Sequence, residues 1–377
     1  MKFKELGLHQ NVIEALDTMG FENPTEIQVK AIPPVMKGSD IIACAQTGTG
    51  KTAAFLLPIL DNILNQPQED SIKALIISPT RELAQQIDQQ LQGLAYFSGI
   101  SSLAVYGGGS GSEFDVEKRA LTEGADIIVC TPGRLISHLN MGYVKFGHLR
   151  FLVLDEADRM LDMGFNQDIV RINSFLPKKK QTLMFSATMP PKIRALAKTV
   201  LNEPVEVSVA ISQAASGIFQ GVFMISKGHK IPLIQHLLSA KKLQSVLIFG
   251  STINDVKNIY KALKIPGYVT ASVHSGLEQK EREEILRKFK NREVNVIVAT
   301  DVLARGIDIV GIDLVINYDV PSDPEDYIHR IGRTARAKAT GVAFTLVDKE
   351  QKRKFERINS FVKNKIQVCK IPANLNA

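Results

Sequence analysis

Cysteine is scarce here, and its placement is as informative as its number. Three cysteines, Cys44, Cys130 and Cys369, stand far apart, with no C-x-x-C pair and no histidine at ligand spacing. That pattern speaks for reduced thiols in a cytosolic protein and against a disulfide framework or a zinc site. Long apolar runs are lacking too. None approaches the roughly 20 residues that a membrane helix needs, and the N-terminal stretch MKFKELGLHQNVIEALDTMG carries charges where a signal peptide has an apolar core. The expected compartment is the cytoplasm, with no membrane partner. No low-complexity segment or short tandem repeat interrupts the chain. What remains is ordinary soluble material, 45% hydrophobic and 23% charged, in 377 residues, more than one core usually holds. The net charge of +7 favours a polyanionic partner without naming a function.

The stretch FLVLDEADRM, Phe151 to Met160, organises the rest. An apolar run reads as a strand buried on both faces, and the carboxylates of Asp155, Glu156 and Asp158 crowd its C-terminal end. Open α/β sheets hold ligands at such ends, and crowded carboxylates call for a cation or a basic partner. Further strands are expected at Asp40–Ala45, Ala74–Ser78, Leu103–Tyr106, Asp126–Cys130, Thr182–Phe185 and Leu201–Val209. A small, polar linker over 210–217 follows, and the alternation restarts at Phe219–Ile225, Ser245–Phe249, Tyr268–His274, Val294–Ala299, Leu314–Tyr318 and Gly341–Leu346. The spacing implies two α/β domains, 1–209 and 218–366, with a cleft between them. A basic helix-like run, Lys349–Lys370, and a short polar tail, 367–377, complete the chain.

Two constellations carry chemistry. In AQTGTGKT (Ala45, Gln46, Thr47, Gly48, Thr49, Gly50, Lys51, Thr52) a glycine turn joins a strand to a helix. Such a turn aims backbone N–H groups and the helix dipole at phosphates, with Lys51 reaching the terminal phosphates and Thr52 ligating Mg²⁺. Ala45 stands where the strict pattern has Gly, so the match is to the relaxed form. Much later, Asp155 is placed to hold Mg²⁺ and Glu156 to orient or deprotonate an attacking water. Together they make a nucleoside triphosphatase.

The ordered series of motifs then resembles a family. GFENPTEIQ (Gly20 to Gln28), AQTGTGKT, PTRELA (Pro79 to Ala84), Gly107-Gly108, TPGR (Thr131 to Arg134), DEAD, SAT (Ser186 to Thr188), LIFGST (Leu247 to Thr252), ATDVLARGID (Ala299 to Asp308) and HRIGRTAR (His329 to Arg336) occur in this order. The chain resembles the DEAD-box RNA helicases of superfamily 2, nearest to compact bacterial RhlE-type members. The resemblance implies two tandem RecA-like domains, each a mostly parallel sheet flanked by helices. It also implies that Gln28 reads adenine with Phe21 packed on the base, Phe3 lying beside the pocket or in the core. Asp308 holds the ribose, Arg333 and Arg336 reach the γ-phosphate, and His329 couples to Asp158 or to the Ser186–Thr188 segment, while Arg330 is structural. The two arginines, three apart, share a face if their segment is helical. Ala335 replaces the family's usual Gly between them.

On the nucleic-acid side the resemblance assigns Arg81, Gly107, Gly108, Thr131 and Arg134 in the first domain, and Thr252, Arg282 and Thr300 in the second. Backbone contacts of this kind position a strand without reading its sequence. The function implied is ATP-dependent, RNA-stimulated hydrolysis coupled to domain closure, with local unwinding of short RNA duplexes or remodelling of ribonucleoprotein; RNA is the partner, and ribonucleoprotein, ribosome-assembly or RNA-decay factors are candidate protein partners. An ATP-gated RNA clamp and a superfamily 2 DNA translocase are the alternatives. Persistent RNA binding with ATP marks the first, and tracking along DNA the second.

Overall fold

Each apolar run read as a strand is one, with its ends shifted by a few residues. The structure, a computed structural model, describes residues 1–45, 48–67, 70–107, 111–209, 217–240, 243–263, 265–301, 312–334, 341–362 and 366–372. Gln46, Thr47, Gly108, Asp308, Ala335, Arg336 and most of the expected linker lie outside the described residues. The chain divides into two compact units, Met1–Ile211 and Ser212–Ala377.

In the first unit β1 (Ile41–Cys44), β2 (Ala74–Ile77), β3 (Ser102–Val105), β4 (Ile127–Cys130), β5 (Phe151–Leu154), β6 (Gln181–Ser186) and β7 (Val205–Ser208) form a parallel sheet in the order β3-β4-β2-β5-β6-β1-β7. The interior strands β2, β4 and β5 are buried along their whole length, which is why they read as unbroken apolar runs rather than alternating ones. Successive residues still face opposite ways. Ile41, Ala43, Ile76, Val153 and Phe185 enter one core with Val12, Leu16, Ile27 and Phe55, while Ile42, Ile77, Leu154 and Met184 enter the other with Leu135, Met160, Ile169 and Ile193. Helices therefore cover both faces. The edge strand β7 buries only Val207 of its four residues, as expected where one side has no neighbour.

The second unit repeats the plan. Its strands are β8 (Ile218–Met224), β9 (Val246–Phe249), β10 (Thr270–Val273), β11 (Val296–Ala299), β12 (Leu314–Asn317), β13 (Gly341–Val347) and β14 (Gln367–Val368), ordered β10-β11-β9-β12-β13-β8-β14. Both units are RecA-like. Two expectations are corrected here. Residues 367–368 are not tail: they pair in parallel with Gly221 and Val222, and Cys369 N–H donates to the Val222 carbonyl at 2.8 Å. The helix in the basic C-terminal run spans only Lys352–Phe361, because Phe355 and Ile358 alone supply a buried stripe.

The structural reading of Arg330 agrees with its surroundings. Its guanidinium is 2% exposed and makes paired hydrogen bonds to Asp301 (Nε to Oδ1 2.5 Å, Nη2 to Oδ2 2.7 Å). Nη1 donates to Asn317 Oδ1 (3.1 Å) and to the Asp319 carbonyl (2.8 Å), and the group lies 4.9 Å from the Phe249 ring centre. Replacing Arg330 by Met should lower stability by about 3 kcal/mol, the lower end of the usual cost of breaking a buried pair. Asp301, at 29% side-chain exposure, recovers some hydration. A urea midpoint equal to the parent's would show the network to be idle.

Candidate functional site

Apart from GFENPTEIQ, which precedes β1, the motif-bearing loops of the first unit leave from the C-terminal ends of its strands, and the sheet order sorts them. PTRELA, Gly107 and TPGR follow β2, β3 and β4 at one end of the sheet. DEAD, SAT and the phosphate loop follow β5, β6 and β1, which are consecutive neighbours. Residues far apart in sequence become one site because parallel register aligns the ends of their strands: Leu154 pairs with Met184, and Cys44 with Ser186.

The phosphate loop is a tight turn. Ala45 N–H continues the ladder to the Ser186 carbonyl (3.0 Å). Gly48 (φ 82°) and Gly50 (φ 93°) then adopt left-handed backbone, and Gly50 caps the helix Lys51–Leu64. A methyl group on Gly50 would also lie 2.5 Å from Gln28 Nε2, so glycine is required twice over there. Gln28 is 5% exposed; its Oε1 accepts from Thr25 N–H (2.9 Å) and its Nε2 donates to the Gly50 carbonyl (3.0 Å). Expected to read a base, the amide here also braces the phosphate loop. Phe21 is 45% exposed, whereas Phe3 is buried in the core.

Lys51 is 7% exposed, and its Nζ has no hydrogen-bond partner among the described residues. A buried ammonium without a partner is costly, and phosphate oxygens are the partner that a glycine turn supplies. Burial pushes the Asp155 carboxyl up to about 7; Lys51 draws it back down, and Glu156 and Asp158 add to the rise. A carboxylate so placed is stabilised by a cation. Among the described residues no three His, Cys, Asp or Glu side chains converge as metal ligands. Mg²⁺ is commonly held by one or two carboxylates, water and the substrate's own phosphates. Thr52 follows Lys51 in the first turn of the same helix.

Glu156 sits in left-handed backbone (φ 49°, ψ 51°) at the N-cap of the helix Ala157–Asp162. A non-glycine residue there stores strain of about 1–3 kcal/mol. Its Oε2 accepts from Arg159 Nη1 at 3.0 Å, and Asp155 Oδ1 accepts the Glu156 N–H at 3.0 Å. Arg159 belongs to none of the sequence-predicted site residues; the one signal that points to it is its i+3 spacing from Glu156 on a short helix. Asp158 Oδ2 accepts from Ala187 N–H (3.1 Å), Thr188 N–H (2.9 Å) and Thr188 Oγ1 (3.1 Å). Ser186 Oγ accepts from Asp158 N–H (3.3 Å) and donates to the Thr188 carbonyl (2.7 Å). DEAD and SAT are thus one bonded unit.

At the other end of the sheet a methyl group on Gly107 would lie 3.8 Å from Arg81 Nη2 and 3.9 Å from Arg134 Cδ, so these three positions converge. Thr131 is the N-cap of the helix Pro132–Asn140 and Arg81 opens the helix Arg81–Leu94, which adds two helix N-termini to the two arginines.

In the second unit Thr252 and Thr300 follow the paired strands β9 and β11, with Gly250 N–H bonded to the Ala299 carbonyl (3.0 Å). Arg282 lies on the helix Gln279–Lys290, between β10 and β11 in sequence. The Thr252 hydroxyl donates to Asp255 Oδ2 (2.6 Å) and accepts the Asp255 N–H (3.1 Å), capping the helix Ile253–Ala262, and Thr300 is 7% exposed. His329 lies on the helix Pro324–Ile331, which ends before Arg333. The condition for a shared helical face is thus not met at Arg333, and Arg336 lies outside the described residues. Arg333, 8% exposed, stands in the following turn, where its N–H donates to the Arg330 carbonyl (3.2 Å) and its carbonyl accepts from Ile312 N–H (3.1 Å).

A parallel α/β sheet with a glycine phosphate loop after one strand and an Asp-Glu pair after a neighbouring one defines a nucleoside-triphosphatase site. Comparison narrows the class. Residues 25–196 match the DEAD/DEAH box helicase family and residues 229–338 the helicase conserved C-terminal domain. The DEAD-box ATP-dependent RNA helicase CshA of Geobacillus kaustophilus (strain HTA426) is 42% identical over 98% of this chain and 78% of its own length. The solved structure of S. cerevisiae Dbp5 bound to RNA and ADP BeF3 is similar with a TM-score of 0.87 at 30% identity, covering 98% of this chain and 95% of that one. A DEAD box protein from the hyperthermophile Methanococcus jannaschii is 36% identical, with a TM-score of 0.57, over 98% and 99%. The chain belongs to the DEAD-box ATP-dependent RNA helicases.

Proposed function

We propose that this chain hydrolyses ATP in response to RNA and uses the cycle to open short duplexes or remodel ribonucleoprotein. The observation that carries the reading is the division of one sheet edge. Lys51, unpartnered among the described residues, stands with Asp155 and Glu156 at one end, and Arg81, Gly107 and Arg134 converge at the other. One rigid sheet can thereby report RNA contact to the nucleotide site. Gln28 supports ATP as the nucleotide. Its two observed bonds leave one Oε1 lone pair and one Nε2 proton, the acceptor and donor that an adenine edge requires.

Lys51 binds the terminal phosphates and Glu156 takes the proton of the attacking water. Mg²⁺, held by Thr52 and Asp155, supplies neutralisation of phosphate charge when bound. Arg333 and Arg336 complete the charge stabilisation from the second unit, which makes hydrolysis depend on closure; Asp158, its Oδ2 bound to Ala187 and Thr188, holds DEAD to SAT, through which His329 transmits that closure. Asp308 holds the ribose. Thr252, Arg282, Thr300 and Gly108 extend the RNA contact, and the alternating helix N-termini and arginines suit a sugar-phosphate backbone of any sequence.

The domain limits 1–209 and 218–366, the RhlE-type kinship, the cytoplasmic location and the ribosome-assembly or RNA-decay partners belong to the same proposal. Among the described residues no helix is long and apolar enough to cross a membrane. Steady-state hydrolysis with and without single-stranded RNA tests the reading. Stimulation by RNA and preference for ATP over GTP are expected. Equal rates with and without RNA would overturn the reading, and equal use of GTP would remove the role of Gln28.

A further inference from the structure

We propose that Glu117 is a positioning residue for the RNA grip, a role that rests on the reading of Arg134 as an RNA contact. Glu117 lies on the helix Gly111–Glu123 and is 5% exposed, so its charge needs partners. One oxygen, Oε1, accepts the N–H of Tyr106, the residue before Gly107, at 3.1 Å. The other, Oε2, receives Arg134 Nε at 2.7 Å and His138 Nε2 at 2.9 Å. A single carboxylate therefore ties the end of β3 to the helix that carries TPGR, and it sets where Gly107 and Arg134 stand relative to each other.

The supports around it are equally specific. His138 is fully buried and its Nδ1 bonds the Tyr143 hydroxyl. The Tyr143 O–H serves Nδ1, so the Nε2–H is free to donate to Glu117. Phe114, one turn before Glu117, stacks on the His138 ring (centroids 4.5 Å apart, 16° between planes) and lies 4.8 Å from the Arg134 guanidinium carbon. The guanidinium is gripped through Nε and its face. Nη1 and Nη2 have no partner among the described residues, which leaves the two outer nitrogens for a phosphate oxygen pair.

Glu117→Gln keeps the shape and removes the charge. A single amide oxygen cannot accept from Tyr106, Arg134 and His138 together. Histidine can switch tautomer to accept from the new NH₂, but Tyr106 N–H and Arg134 Nε–H are donors only, so whichever way the amide turns one of the two loses its acceptor and the tie between β3 and Arg134 is cut. Since a hydrogen bond to a charged group contributes about 1.5–3 kcal/mol, the RNA concentration for half-maximal stimulation of hydrolysis should rise roughly tenfold or more. The KM for ATP and the rate at saturating RNA should stay within about twofold, a split that general destabilisation would not produce. Arg134→Ala should raise the same RNA value, and the double variant should be no worse than Arg134→Ala, since the two act through one contact. Phe114→Leu, which keeps every charge, should give a smaller rise of the same kind. If Arg134→Ala raises the RNA value while Glu117→Gln and Phe114→Leu leave it at the parent's, the positioning role is wrong and the RNA reading stands. If none of the three moves it, Arg134 does not contact RNA and both readings fall.

Discussion

Glu156→Gln is expected to lower RNA-stimulated ATP turnover by about 10²–10⁴-fold, the usual contribution of a positioned general base, while ATP and RNA still bind. The substitution is clean because of what the side chain does in the fold. Its oxygen accepts from Arg159 Nη1, and a glutamine oxygen can still accept that bond, without the charge. The left-handed backbone at this position is the same for either residue. What is lost is the capacity to take a proton. The variant should therefore hold RNA in the presence of ATP for longer than the parent. Turnover is measured at saturating RNA, with nucleotide affinity by equilibrium titration alongside. A variant that hydrolyses at the parental rate would show that another group activates the water.

Arg333→Ala is expected to cost about 10³–10⁵ in turnover, the range for an arginine finger, with little change in the affinity of the first unit for ATP. Arg333 is well held for such a role. Its own N–H and carbonyl are bonded to Arg330 and Ile312, so its backbone is pinned on both sides. Through Arg330, that turn is anchored to Asp301, Asn317 and Asp319. Arg333→Lys should recover little, because an ammonium cannot make the planar, forked contact of a guanidinium. Single-turnover hydrolysis with RNA present is the measurement, with the thermal midpoint as a check on folding. Parental turnover in the alanine variant would move the finger role elsewhere.

Much of the site is legible in the amino-acid sequence because its chemistry demands particular atoms in short segments. A phosphate loop needs glycines that accept positive φ, and Gly48 and Gly50 do so. Its lysine needs an ammonium near phosphate, and the buried Nζ of Lys51, unpartnered among the described residues, answers that need. Strands covered on both faces must be apolar throughout, which is why FLVL and its neighbours stand out. Elements that lack such a demand are not legible in this way. The strand Gln367–Val368 is only two residues long and exposed, so nothing in its composition separates it from a tail. The helix before Arg333 stops at Ile331, a boundary that the HRIGRTAR pattern does not announce.

The sequence by itself determined the inventory: two α/β units, a phosphate loop and a carboxylate pair. Those follow from local spacing, and local spacing is what a sequence displays. Only the tertiary structure decided the partnerships. It placed Gln28 against Gly50, Arg159 against Glu156, Asp158 against Ala187 and Thr188, and Glu117 between Tyr106, Arg134 and His138. These contacts are set by strand order and register, through which the parallel sheet brings strand ends from distant parts of the chain side by side. No local rule encodes that order, and a buried charge finds its partner only after the sheet has formed.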